Sequence, residues 1–327
     1  MVTRRSLLAA SIAGGVLARF DFAARAEESS AGAVKMIVSF PAGGSTDVVI
    51  RAIAAKMQAV LGKPVVVENR AGASGQIAAG YVAKADPDGR TLLAAASSLA
   101  SNPALFKAMP FDTLNDLQPL SLIFRTPLVL VVNPDLPVKT VADLLALLRQ
   151  KPGELHYGHG GPGSAIHLAA ELFQSATDTK MNAVAYRGAP IALNDLIGGR
   201  IQLMFADVGS VMGQIEAGHV RALAVGSRER VPVLPDLPTI AESGVPGFDA
   251  EGWTLVCAPA GMPPEVVEKL AHDLSATAEI GEVRALIVKL GMLPVKSPRP
   301  GELKAFLAAE IDRWGKLIER SGAAKSL

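Results

Sequence analysis

The sequence holds a single cysteine, Cys257, in 327 residues. No disulfide can form within the chain, so stability has to come from a buried core. Excess charge of either sign is also lacking: 32 Lys and Arg stand against 31 Asp and Glu, a formal net charge of +1. Such a balance carries no electrostatic footprint for nucleic acid or an anionic membrane surface. Long apolar runs are missing as well. The uncharged stretch from Thr91 to Phe106 is interrupted by Ser, Asn and Pro, which argues against a helix that crosses a bilayer. Metal-binding spacing is absent from the five histidines, His156, His159, His167, His219 and His272, with no acidic residues placed to back them. No metal and no cofactor is expected.

What is present begins with an export signal. Arg4 and Arg5 precede an uncharged run from Ser6 to Ala18, and Ala24-Arg25-Ala26 ends the segment with small residues two apart. A charged start, a short apolar core and an A-x-A end are the anatomy of a cleavable signal. The run is 13 residues, short of the roughly 20 that span a bilayer as a helix. Thr3-Arg4-Arg5-Ser6-Leu7-Leu8 resembles a twin-arginine signal, which implies export of a folded chain. Cleavage near Ala26 removes four arginines and one aspartate, leaves a net charge of −2, and places the mature protein in the periplasm.

After residue 32, short apolar runs alternate with helical patterns, which predicts an α/β fold with mostly parallel sheets. The first series has strands at Val34–Phe40, Val65–Val67 and Thr91–Ala96. Helices opening at Asp47 and running Ala73–Ala85 lie between them. In the first helix Val49, Ile53, Met57 and Val60 recur at helical spacing, and Gly62 and Pro64 stop it. A second series begins at Leu128 and continues through strands at Leu155–Gly158, Met181–Tyr186, Ile201–Ala206 and Ala222–Val225. Helices at Val141–Arg149, Ser164–Ser175 and Ala192–Gly198 lie between its strands. Trp253 to Ala258 reads as a return crossing, followed by helices at Pro264–Ala278 and Glu302–Ile318. Two lobes are therefore expected: residues 33–122 with 252–327, and residues 123–251. Cys257, in an apolar run, reads as a small buried hydrophobe.

Two segments place glycine, hydroxyl side chains and a helix start together at the end of a strand. They are Phe40-Pro41-Ala42-Gly43-Gly44-Ser45-Thr46-Asp47 and Tyr157-Gly158-His159-Gly160-Gly161-Pro162-Gly163-Ser164, the latter followed by His167. The first amides of a helix lack internal partners and the dipole is positive there, so an anion is favoured. Neither segment contains Lys or Arg. A bound anion would rest on N–H and O–H donors, each contributing roughly 1.5–3 kcal/mol to a charged partner.

Catalytic alternatives are weaker. The run His159-Gly160-Gly161-Pro162-Gly163 spells an oxyanion-type loop of serine hydrolases, so a secreted α/β hydrolase is the rival reading. It needs a G-x-S-x-G elbow, and Ser74, two after Gly72, has Gln76 where the second glycine belongs. Gly158-x-Gly160-x-x-Gly163 also fits the dinucleotide fingerprint. Pro162 disrupts its turn, however, and the next strand ends in Tyr186-Arg187 without an acid for a ribose. Gly62-Lys63 is followed by Pro64, so there is no phosphate loop.

Read in order, several blocks resemble the Bug-type (TctC-like) solute receptors of tripartite tricarboxylate transport systems. They are the first loop, Val67-Glu68-Asn69-Arg70-Ala71-Gly72-Ala73-Ser74-Gly75, Asp86-Pro87-Asp88-Gly89-Arg90-Thr91-Leu92, and Gly163-Ser164-Ala165-Ile166-His167-Leu168. Tyr186-Arg187-Gly188, Leu234-Pro235-Asp236-Leu237-Pro238-Thr239-Ile240-Ala241-Glu242 and Trp253 continue the series. The resemblance implies a two-lobed Venus-flytrap fold, of the type II-like periplasmic-binding-protein class, with a small carboxylate held between the lobes. It implies contacts from Phe40, Gly43, Gly44, Ser45 and Thr46 on one lobe and from Gly160, Ser164 and His167 on the other. It places Asp207 near the far end of the ligand and Ser98 on the cleft wall. No catalytic residue is implied. A monomer that delivers its ligand to membrane transporter subunits, or to a sensor, is expected. His159 departs from the family, which usually has serine or alanine there, and is expected to bring a titratable ring to the pocket rim.

Overall fold

The computed structural model describes residues 32–320 and 324–325; the export signal expected over residues 1–26 lies outside them. Strand β1 (Val34–Val38) sits between β2 (Val65–Asn69) and β3 (Thr91–Ala96), and all three run parallel. Within β1 only Lys35 is exposed, as a strand covered on both faces requires. Helix α1 (Ser45–Leu61) follows β1 and buries Val49, Ile50, Ile53, Ala54 and Met57. Val60, in its last turn, lies exposed. Gly62 ends the helix in the left-handed region, at φ 62°, where glycine alone is unstrained.

The helix expected over Ala73–Ala85 is shorter. Gly72, Ala73, Ser74 and Gly75 all have positive φ (130°, 45°, 53° and 88°), so the backbone cannot be helical there. Helix α2 starts only at Gln76 and runs to Ala83. Ser98 Oγ and Asn102 Nδ2 both donate to the Ser74 carbonyl, at 2.8 and 3.0 Å, and hold this loop against α3 (Ser98–Leu105).

The crossing between lobes is made by two long strands. The first half of β4 (Leu117–Val132) pairs antiparallel with β9 (Glu251–Pro259), which in turn pairs antiparallel with β3. The second half of β4 pairs antiparallel with β7 (Leu203–Asp207) and β8 (Arg221–Val225). One strand thus serves both lobes. Its start, eleven residues before the expected Leu128, is obscured in sequence by Pro119 and by Arg125-Thr126-Pro127. Register shifts at Pro119/Ser121 and Leu122/Phe124 accommodate the irregularity.

The second lobe places β5 (His156–His159) between β6 (Asn182–Ala185) and β7, all parallel. Around it pack α4 (Val141–Gln150), α5 (Ala165–Thr177), α6 (Ala189–Ile197) and α7 (Val208–Glu216). Each lobe therefore has three parallel strands, and the antiparallel pairs are confined to the crossing strands. The C-terminal part contributes α8 (Pro264–Ala278), α9 (Gly281–Lys289), the short β10 (Leu293–Pro294) and α10 (Pro300–Arg320).

The core falls into three buried clusters. One draws on residues from Leu128 to Ala250. The other two lie on opposite faces of the β1–β3 sheet: Met36, Val38, Leu92 and Ala94 fall in one, Ile37, Leu93 and Ala95 in the other, as alternation along a strand dictates. The second of these also takes in Trp314 and Leu317 of α10 and Leu168 of α5, so the lobes touch along one side. Cys257 is buried there too, and burial pushes its thiol pKa up.

Candidate functional site

Between the lobes lies a cavity of about 750 Å³, within the range of small-molecule sites. The strand-to-helix loop after β1 forms one wall through Phe40, Gly44, Ser45 and Thr46, joined by Ser98. The other lobe supplies Gly160, Ser164 and Asp207. Eight of the eleven expected contact residues are therefore brought together. Gly43, His159 and His167 are not among the lining residues.

Sequence accounts for how the first loop is held. The Gly43 amide donates to Asp47 Oδ2 at 2.9 Å, and Asn69 Nδ2 donates both to Asp47 Oδ1 at 2.8 Å and to the Phe40 carbonyl at 3.1 Å. Arg51 completes the clasp, with Nε 2.9 Å from Asp47 Oδ2 and Nη2 2.7 Å from Asn69 Oδ1. Burial opposes ionisation of Asp47, yet the hydrogen bonds from Arg51, Gly43 and Asn69 together hold its carboxyl below the usual range. Asp47 and Gly43 thus brace the loop from behind.

That bracing leaves the front of the loop free. The residue before α1 is Gly44, which has no side chain with which to cap the helix. The first bond of the helix ladder runs from the Val48 amide to the Gly44 carbonyl, so the amides of Ser45, Thr46 and Asp47 have no helical acceptor. An uncapped helix start thus opens into the cavity beside two hydroxyls.

The second loop is built differently. Ser164 Oγ donates to the Gly161 carbonyl at 2.9 Å and accepts the His167 amide at 3.3 Å, which makes it the cap of α5. The Gly161 amide donates to His159 Nδ1 at 3.2 Å, and the Gly163 amide donates to His167 Nδ1 at 3.1 Å. Both rings are buried, 3% and 8% exposed. They lie 4.3 Å apart between centroids, with His167 stacked on Tyr157. Tyr157 in turn donates to Glu171 at 2.6 Å.

His159, expected at the pocket rim, has its ring buried with Nδ1 accepting the Gly161 amide, and it is not among the lining residues. His167, expected as a cleft contact, likewise accepts the Gly163 amide and is not among the lining residues. Burial, and secondarily the neighbouring His159, lowers the His167 pKa to about 4. Burial also lowers that of His159, against the raising effects of the Gly161 contact and Glu171. The Gly161 and Gly163 amides of this loop are thus taken by histidines and are not free to hold an oxyanion.

Several lining residues are not among the expected contacts. Ser39, Ser74, Ser97, Thr126 and Trp253 enter from five separate segments, and Ala189-Pro190 and Ser210 enter from helix starts in the second lobe. Leu290 and Met292 reach in from the turn after α9. Among all lining residues Asp207 is the one ionisable group, and burial pushes its carboxyl up to about 6.

Comparison with known proteins supports the family and the two-lobed fold. Residues 49–323 match the family model described as the tripartite tricarboxylate transporter family receptor. Protein BugT of Bordetella pertussis is 39% identical over 292 residues, covering 89% of both chains. The structure of R. palustris Rpa4515 with adipate superposes with a TM-score of 0.79 at 38% identity, over 89% of this chain and 98% of that one. The periplasmic binding protein BugD gives a TM-score of 0.76 at 33% identity, over 89% and 98%.

Proposed function

This chain belongs to the tripartite tricarboxylate transporter receptor family, and from that membership we propose how it works as a solute-binding receptor: the start of α1 anchors the carboxylate of a small metabolite between two lobes. The observation that carries the reading is the uncapped α1 start, with Ser45 and Thr46 facing a cavity that no Lys or Arg lines. Three free amides and two hydroxyls supply donors without a cation, and the helix dipole adds to them. Gly160 and the first turn of α5 close over the ligand from the other lobe, and Ser98 and Phe40 fill the sides.

Export by the residue 1–26 signal, with cleavage near Ala26, puts the receptor in the periplasm, and it hands its ligand to membrane transporter subunits. Support comes from the signal's anatomy in sequence and from the family. No chemistry on the ligand is required by any group in the cleft.

Calorimetry tests the anchor. The probe is the tightest acid from a thermal-shift panel of mono- and dicarboxylates. Ser45→Ala with Thr46→Ala is expected to weaken its binding about tenfold to a hundredfold, equivalent to roughly 1–3 kcal/mol, with the melting temperature unchanged. Unchanged affinity would remove the anchor from this helix.

A further inference from the structure

The carboxylate reading accounts for the lobe 1 wall and leaves the lobe 2 wall unexplained. There Asp207 lines the same cavity. It stands at the cap position of α7, yet its side chain accepts nothing from that helix, and its backbone carbonyl instead takes Ser210 Oγ at 2.8 Å. No described residue makes an ion pair or a hydrogen bond with its carboxyl. Its carboxyl is half-buried on the cavity wall; a ligand that fills the cleft strips its remaining water, and that costs least when the ligand donates to it.

We propose that Asp207 selects the second functional group of the ligand: the cleft takes a carboxylic acid whose other end is a hydrogen-bond donor, an ammonium or a primary amide, in preference to a second carboxylate. The inference rests on the α1 anchor proposed above. A dicarboxylate held there would bring its second charge to a wall whose one ionisable group is an acid. The Ser164 hydroxyl already donates to Gly161 and the Gly161 and Gly163 amides to the two histidines, so on this wall a second carboxylate would be left to the starts of α6 and α7, the latter already carrying the Asp207 carboxyl. An ammonium or amide meets the opposite situation, with Asp207 as acceptor. Because the carboxyl titrates near 6, it is ionised at pH 7.5, where the choice between the two ligand types is sharpest.

Three-way ligand series separate the possibilities. Calorimetry at pH 7.5 compares adipate, 6-aminohexanoate and adipic acid monoamide, then succinate, 4-aminobutyrate and succinamic acid, on the wild type and on Asp207→Asn. The amino or amide member of at least one series should bind tenfold or more tighter than its dicarboxylate. Asp207→Asn, close in shape and checked by its melting curve, should erase that ratio for the ammonium and strengthen the dicarboxylate. The inference fails if a dicarboxylate binds tightest and Asp207→Asn leaves the order unchanged. In that event continued sensitivity to Ser45→Ala with Thr46→Ala keeps the anchor standing. Absence of measurable binding by all six compounds counts against both.

Discussion

Gly209→Ala is expected to cost about five- to 150-fold in ligand affinity while leaving each lobe folded. Gly209 lies in the first turn of α7, beside Asp207, and faces the turn after α9 across the lobe junction. A Cβ there would stand 2.0 Å from the Leu290 carbonyl oxygen and 3.0 Å from its carbonyl carbon. Backbone cannot swing aside as a side-chain tip can, so the two segments must part by more than an ångström. Overpacking of this kind costs roughly 1–3 kcal/mol, which converts to that range of affinity if only the closed arrangement grips the ligand. Val208 and Val211 belong to the second lobe's core and Leu290 packs on the first, so the strain falls between lobes. Gly213→Ala, in the same helix with open space around it, is the control. Calorimetry with both variants, together with small-angle scattering of each, checks the expectation. Equal affinities would mean that this contact has no part in closure.

Acid should loosen the second loop, and the histidine pair fixes the window. In the folded chain His167 resists protonation down to about pH 4 because it is buried and beside His159. In the unfolded chain it takes a proton near the ordinary 6.5. A depressed folded value means that the contribution is fully present above pH 6.5 and is lost as pH falls from there towards 4. The size is about 3 kcal/mol for His167, and the lowered His159 acts in the same direction. Protonation of Nδ1 also ends the acceptor role towards Gly163, so loop geometry and stability decline together. Urea unfolding at pH 7.5 and at pH 4.5 measures the effect. His167→Asn, which keeps an acceptor for the Gly163 amide and loses the titration, should flatten this part of the slope. An identical slope in the variant would assign the acid loss to carboxylates elsewhere.

The parts of the site that sequence foretells are the local ones. Glycine, hydroxyls and a helix start between Phe40 and Asp47 lie within one turn of chain, and their spacing alone implies free amides. Asp47 is an acid in the first turn of α1, where the dipole favours one, and its bonds to the Gly43 amide and to Asn69 shape the loop. His159 and His167 are different. Their spacing permits rings on either side of the loop, and packing on Tyr157 together with capture of the Gly161 and Gly163 amides decides for the inner side. Leu290, Met292 and Ser74 reach the cavity only through contacts between distant segments, which no local pattern carries.

The same distinction holds for the elements. Strands of one lobe, such as Thr91–Ala96, stand out by composition, and the proline-started helix at Pro264–Ala278 is found at its expected limits. Helix α3 is hidden by its serines and by Pro103 within it. Helix α7 is hidden because it begins directly at the end of β7, and its Gly209 and Gly213 read as breakers.

A crystal structure of the protein with its tightest-binding acid tests the central claim most directly. The acid's carboxylate should lie within hydrogen-bonding reach of the Ser45, Thr46 and Asp47 amides, enclosed by Gly160 and the first turn of α5. A ligand bound outside the cleft, or one whose carboxylate leaves the α1 start untouched, would contradict it.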